Sequence, residues 1–225
     1  MKTIACLASV LSALVVGPVA HAGSAYDEFS AESNPSGAWH YGWTPSLAGA
    51  FTLFANRMSS GNHDHWYGDQ PPLGSLPGYP EIDRNTVSFA GMLLAHPGPN
   101  GQYAVLRWIA PSANAFSIFS EFTRQDSMPT TTDVHVRLNG ASLFSGLLDA
   151  ASASGSFGNT LSLNAGDVLD FSVGFGANGN YFFDRTGINA SVSAVPEPAS
   201  LLLLLSGAMI LVGVASRART TDAAH

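Results

Sequence analysis

The sequence holds one cysteine and one lysine, and both fall within its first six residues, at Cys6 and Lys2. The rest of the chain therefore has no thiol chemistry, no internal disulfide and no side-chain amine. Charge of either sign is scarce. Charged residues are 11% of the chain and the formal net charge is -7. An acidic chain almost without lysine lacks the basic patches that nucleic acids and anionic membrane surfaces require. No Gly-x-Ser-x-Gly elbow is present, so the usual nucleophile motifs are missing as well. Glu121 and Asp133 can be posed as a glycosidase pair, but distance along a sequence says nothing of distance in space.

Long apolar runs are present, one at each end. Lys2 precedes an apolar stretch from Ile4 to Val16, which Gly17-Pro18 breaks. Ala20 and Ala22 then stand at the -3 and -1 positions of a signal-peptidase site. Together these read as a secretory signal peptide over residues 1–22, cleaved after Ala22. The second run, Ala199 to Ala215, is uncharged and spans roughly 25 Å as a helix. Arg217 and Arg219 follow it, and on the positive-inside rule they stay cytoplasmic.

Pro196, Glu197 and Pro198, then the apolar run, then Arg217 and Arg219, resemble the PEP-CTERM sorting signal of Gram-negative bacteria. The resemblance covers residues 195–225. It implies an exosortase as partner, transient residence of a transmembrane helix in the inner membrane, and delivery to the cell surface or extracellular matrix. It also links the chain to bacteria that make exopolysaccharide and biofilm. One departure is the tail from Thr220 to His225, which runs past the arginines.

The body, residues 23–194, has the length of one domain, and its apolar pattern has period two. Phe116, Ile118 and Phe122 share a face. Val134, Val136 and Leu138 alternate with polar residues, and Asn139-Gly140 follows as a hairpin turn. Leu169, Phe171, Val173 and Phe175, then Ile188, Ala190 and Val192, repeat the pattern. No helical period is found in the body. These features predict an all-β chain: a single antiparallel, jelly-roll-like β-sandwich flanked by the signal peptide and the C-terminal helix. The stretch from Leu93 to Val192 is also similar to secreted jelly-roll carbohydrate-binding modules. Its His-Pro-Gly turn, Arg-Trp-x-x-Pro strand end and Ala-Gly-Asp turn carry that likeness, which speaks to fold more than function.

Before that stretch, residues 37–57 read as two strands with a turn at Pro45. Ser59 to Ile82 reads as a long loop, dense in Gly and Pro. Trp66, Tyr67 and Tyr79 within it suggest stacking platforms for sugar rings. Packing is the competing role for Trp66 and Tyr67, as it is for Trp39 and Trp43, which share one face of a strand with Tyr41. His63 and His65 lie on one side of an extended segment and suit zinc or copper. No third ligand follows at a set spacing, with His40 and Asp69 only possibilities, and a polar loop tip is the competing reading of the pair. Asp167, Asp170 and Asp184 suit calcium, although Asp167 after Gly166 is also an ordinary turn-former. The reading that results is an exported, non-enzymatic matrix protein without cofactor, associated with exopolysaccharide and binding carbohydrate. The alternative is an envelope hydrolase or metal-dependent enzyme built on His63-Asp64-His65.

Overall fold

Alternation places the strands. Phe116, Ile118 and Phe122 are buried in β9 (Asn114–Arg124), with exposed Ser117 and Phe119 between them. Val134 and Val136 do the same in β10 (Thr132–Leu138), as do Ile188, Ala190 and Val192 in β14 (Thr186–Ala194). Asn139 and Gly140 have φ of 50° and 83°. Two left-handed residues in succession give the tight turn whose twist matches the strands it joins, here β10 and β11 (Ala141–Leu148).

The computed structural model describes residues 23–69, 78–128 and 130–196. Within them lie fourteen strands, one short 3-10 turn and no α-helix. The first sheet runs β12 (Ser154–Leu163), β9, β14, β7 (Leu93–His96), β6 (Glu81–Asn85), β5 (His63–Tyr67), β4 (Asn56–Ser60). A short β1 (Gly23–Ser24) also pairs with β14. The second runs β11, β10, β13 (Val168–Gly174), β8 (Tyr103–Ile109), β2 (Trp39–Thr44), β3 (Thr52–Leu53). Every pairing is antiparallel.

The two inner faces enclose one core. Trp39, Tyr41, Phe116, Phe122 and Phe171 are almost fully buried in it. Trp39 lies 5.9 Å from Phe171, ring to ring. Each such ring removed from water stabilises the sandwich by about 2–3 kcal/mol. Trp43 packs against the same cluster, so the aromatic stripe of β2 belongs to the core.

Two expectations change. The stretch read as a loop from Ser59 to Ile82 holds most of a meander: the end of β4, all of β5 and the start of β6. Residues 37–57 give β2, β3 and the start of β4 rather than two strands. In β5 both His65 and Trp66 are buried, so the strand has no solvent-facing side to reveal period two. The signal-peptide residues 1–22, with Ala20 and Ala22, lie outside the described residues. So do Glu197, Pro198, Arg217 and Arg219, while Pro196 is the last residue described. No helix among the described residues is long and apolar enough to cross a membrane, and residues 199–215 are not among them.

Candidate functional site

The second sheet has an outer face. Since Ala104, Leu106, Val134 and Val136 point into the core, Tyr103, Asp133 and His135 point away from it. At one end of this face lies an open cleft of about 560 Å³. Pro45, Leu47, Leu147 and Phe175 give it apolar walls, and Tyr103 and Asp133 a polar lining. Glycines make the room. A Cβ on Gly174 would overlap Asp133 Oδ1 and the Tyr103 ring. One on Gly176, whose φ is +65°, would overlap the Thr131 carbonyl oxygen.

Asp133 is held from three directions. Tyr103 donates its hydroxyl to Oδ2 at 2.6 Å, and Gly176 donates its N–H to Oδ1 at 2.7 Å. His135 Nε2 stands 2.8 Å from Oδ2, and its Nδ1 is 2.9 Å from Ser145 Oγ. Burial alone would raise the Asp133 pKa, but the bonds from His135, Tyr103 and Gly176 outweigh it and hold the carboxyl below its ordinary value. Burial and then Asp133 push the Tyr103 hydroxyl up, so it stays protonated. The chain Ser145–His135–Asp133 has the composition of a hydrolytic triad. Yet neither Ser145 nor His135 lines the cleft, and the ring nitrogens are used in the reverse order. Its structural effect is to fix the carboxylate at the cleft.

The first sheet carries a polar face of its own. Register sets His65 opposite Asp83 and His63 opposite Asn85. His63 Nδ1 is 2.7 Å from Asp83 Oδ2, and His65 Nδ1 is 3.1 Å from Glu81 Oε2. Arg185 donates to Asp83 Oδ2 at 2.7 Å. The rings of His63 and His65 stack 5.5 Å apart. His63, His65 and Asp83 thus offer ligand atoms within 4.8 Å of one another, and Asp83 is the third partner that no spacing in the sequence marked.

Both ring nitrogens of His63 have partners within the protein. Asn85 Oδ1 accepts from the N–H groups of Val87 and Ser88. That fixes its amide with Nδ2 facing His63 Nε2 at 2.6 Å, so Nε2 accepts and the ring proton sits on Nδ1, pointed at Asp83. A metal at Nδ1 would move that proton to Nε2, against a donor. Burial lowers the His65 pKa, but the bond to Glu81 and the charges of Asp83 and Glu81 overcome it and raise the net value. Arg185 pairs with Asp83 directly, so this acidic cluster already has a cationic partner.

The remaining candidates separate. Trp66 is 6% exposed, in the core, and its Nε1 donates to Ser30 O at 2.8 Å, so its ring is not a platform. Tyr67 is half-buried, as is Tyr79, which packs on His96 at 4.3 Å and Tyr181 at 5.6 Å. Burial pushes the Tyr79 hydroxyl up to about 12. Asp167 accepts from Asn164 N and Asn139 Nδ2, as a turn-former does. Asp170 takes a two-pronged bond from Arg107, and Asp184 is fully buried against Thr132. Among the described residues, Asp167, Asp170 and Asp184 do not come together as a group of candidate metal ligands. Glu121 lies in the first sheet and Asp133 in the second, so they form no pair. Tyr103, Phe175 and Leu147 were not singled out as site residues by the sequence. The i, i+2 spacing of Asp133 and His135 on a strand was the available signal.

No protein-family model matches the chain, and no curated protein matches it by sequence. Among solved structures it is similar to a CBM51 module from Clostridium perfringens, solved with methyl-galactose. The identity is 12%, over 63% of this chain and 95% of that one, with a TM-score of 0.37. A family 35 carbohydrate-binding module from Clostridium thermocellum is 14% identical over 50% and 87%, at 0.33. Rabbit GITRL is 11% identical over 42% and 73%, at 0.29. Scores this low, shared by proteins of such different kinds, carry no argument about function. The sandwich rests on its own strand ladders.

Proposed function

We propose that this is an exported, exosortase-sorted, non-enzymatic protein whose body binds matrix polysaccharide in the cleft of the second sheet. The cleft is the observation that carries the reading. Apolar walls at Pro45, Leu47, Leu147 and Phe175 suit the faces of sugar rings, while Tyr103 and Ser46 offer hydroxyls to sugar hydroxyls. Asp133 stays ionised there, which favours neutral sugars over anionic ones. The earlier platform residue Trp66 is replaced in this role by Phe175 and Leu147.

Leu147 is 46% exposed, so its truncation disturbs little packing. Leu147→Ala and Phe175→Ala should each weaken retention on matrix polysaccharide about fivefold, equivalent to about 1 kcal/mol. Thermal stability of Leu147→Ala should stay within about 2 °C of the parent. Retention unchanged in both variants would refute the cleft. The sorting half has a separate measurement. Mass spectrometry of the surface fraction from an exosortase-bearing host should find no peptide spanning Leu201–Leu205, and intact peptides of that stretch would end the sorting reading.

A further inference from the structure

Glu28 folds back onto the first residue of β1. The turn after β1 brings it there: Glu28 N–H donates to Ser24 O, and Ser24 Oγ bonds Asp27. A Cβ on Gly23 would overlap Oε1 of Glu28, and one on Gly37 would touch Oε2 at 3.0 Å. The carboxylate thus lies between two glycines, directly against the Gly23 backbone. Gly23 itself is buried and held in register, opposite Val192 of β14. Standard bond lengths and tetrahedral angles put the Gly23 nitrogen about 2.5 Å from the missing Cβ position, so Oε1 comes within about 4 Å of that nitrogen. That is ion-pair distance.

We propose that Glu28 is the binding site for the α-ammonium group that cleavage after Ala22 creates at Gly23. The proposal rests on the signal-peptide reading and adds an intramolecular ligand to it. Before cleavage, the Gly23 nitrogen is a neutral amide with one proton. Hydrolysis of the Ala22–Gly23 bond gives the Ala22 carboxylate and a free amine, which takes up a proton at neutral pH and becomes a cation with three donors. The carboxylate already stands beside it. Only glycine at position 23 lets the carboxylate approach this closely. Processing therefore adds a charge pair that holds β1 on β14, and the pair is absent from the precursor.

The sequence makes the test selective. Lys2 is the only lysine and leaves with residues 1–22, so an amine-directed acetylating reagent has one target on the processed chain. The protein is exported from a secreting host, its first residue is identified by mass, and its melting temperature is measured before and after acetylation. Acetylation should lower the melting temperature of the parent by about 2–4 °C. Glu28→Gln should show a similar deficit unmodified and no further fall on acetylation. A chain that begins at Gly23 and melts identically in both forms overturns the proposal and leaves the signal-peptide reading standing. A first residue other than Gly23 overturns both.

Discussion

At pH 8, Asp184→Asn should unfold with about 3 kcal/mol more free energy than the parent, and at pH 4 that advantage should be gone, leaving the variant equal or slightly less stable. Asp184 has no exposed surface, and its Oδ2 meets no hydrogen-bond donor among the described residues. Burial is the main cause that raises its pKa, from 3.8 to about 7. Thr132, which donates to Oδ1, pulls it back, while Asp126 and Asp133 add to the rise. The sign follows from proton linkage. Below about pH 3.8 the carboxyl is neutral in both folded and unfolded chains, so it opposes folding little. Between 3.8 and about 7 the unfolded chain releases its proton and the folded one does not, and stability declines. A rise of this size amounts to about 4 kcal/mol once both states are ionised. Asparagine keeps an acceptor for Thr132 and never ionises, but its amide inherits the place without a partner, hence the smaller net gain. Chemical denaturation of both proteins across pH 4 to 8 measures it. A difference that does not change with pH would remove Asp184 as the cause.

The second large effect is expected at the cleft. Gly176→Ala should destabilise the body by about 3 kcal/mol or more, lowering the melting temperature by roughly 6–12 °C. A side chain there pays for a left-handed backbone, about 1–2 kcal/mol. It also meets the Thr131 carbonyl, a backbone atom that cannot rotate away. Relief would require the strand end to shift and would break the N–H bond to Asp133. Gly179 is the control. Its φ of 70° is similar, but a Cβ there meets nothing within 4 Å, so Gly179→Ala should cost only about 1–2 kcal/mol. Equal melting temperatures for the two variants would show that the contact with Thr131 does not matter. Polysaccharide retention by folded Gly176→Ala should also fall, because the displaced segment is a wall of the cleft.

β9, β10 and β14 were legible because each has one face at least partly wet, so period two survives, as in Phe116, Ile118 and Phe122. β13 is buried on both faces and was legible because Asp170 and Ser172 keep the alternation in the sequence. The meander from β4 to β6 was not. Glu81, Asp83 and His65 are buried on its outer face, and glycine and proline crowd its flanks. Trp66 looked like an exposed ring in a loop, while pairing across β5 and β6 turns it inward. The cleft was hidden for another reason. Its walls come from Pro45, Tyr103, Asp133, Leu147 and Phe175, spread over most of the body and joined only by sheet order. Asp83 came to His63 and His65 by register, which no local spacing encodes. The same register supplied Asn85, whose amide nitrogen meets His63 Nε2.

The position of β14 bears on mechanics. It lies between β9 and β7, and Val195 still donates to Ala115 O after the strand ends. Tension applied to the chain beyond Pro196 enters the body along this strand. An edge strand would peel away one bond at a time. β14 instead has nine residues paired with β9 and further pairs with β7 and β1. A pull along its axis loads these bonds together, in shear, and must drag Ile188, Ala190 and Val192 out of the core. A body tethered by its C-terminal side would therefore resist flow through the stiffest direction of its sheet.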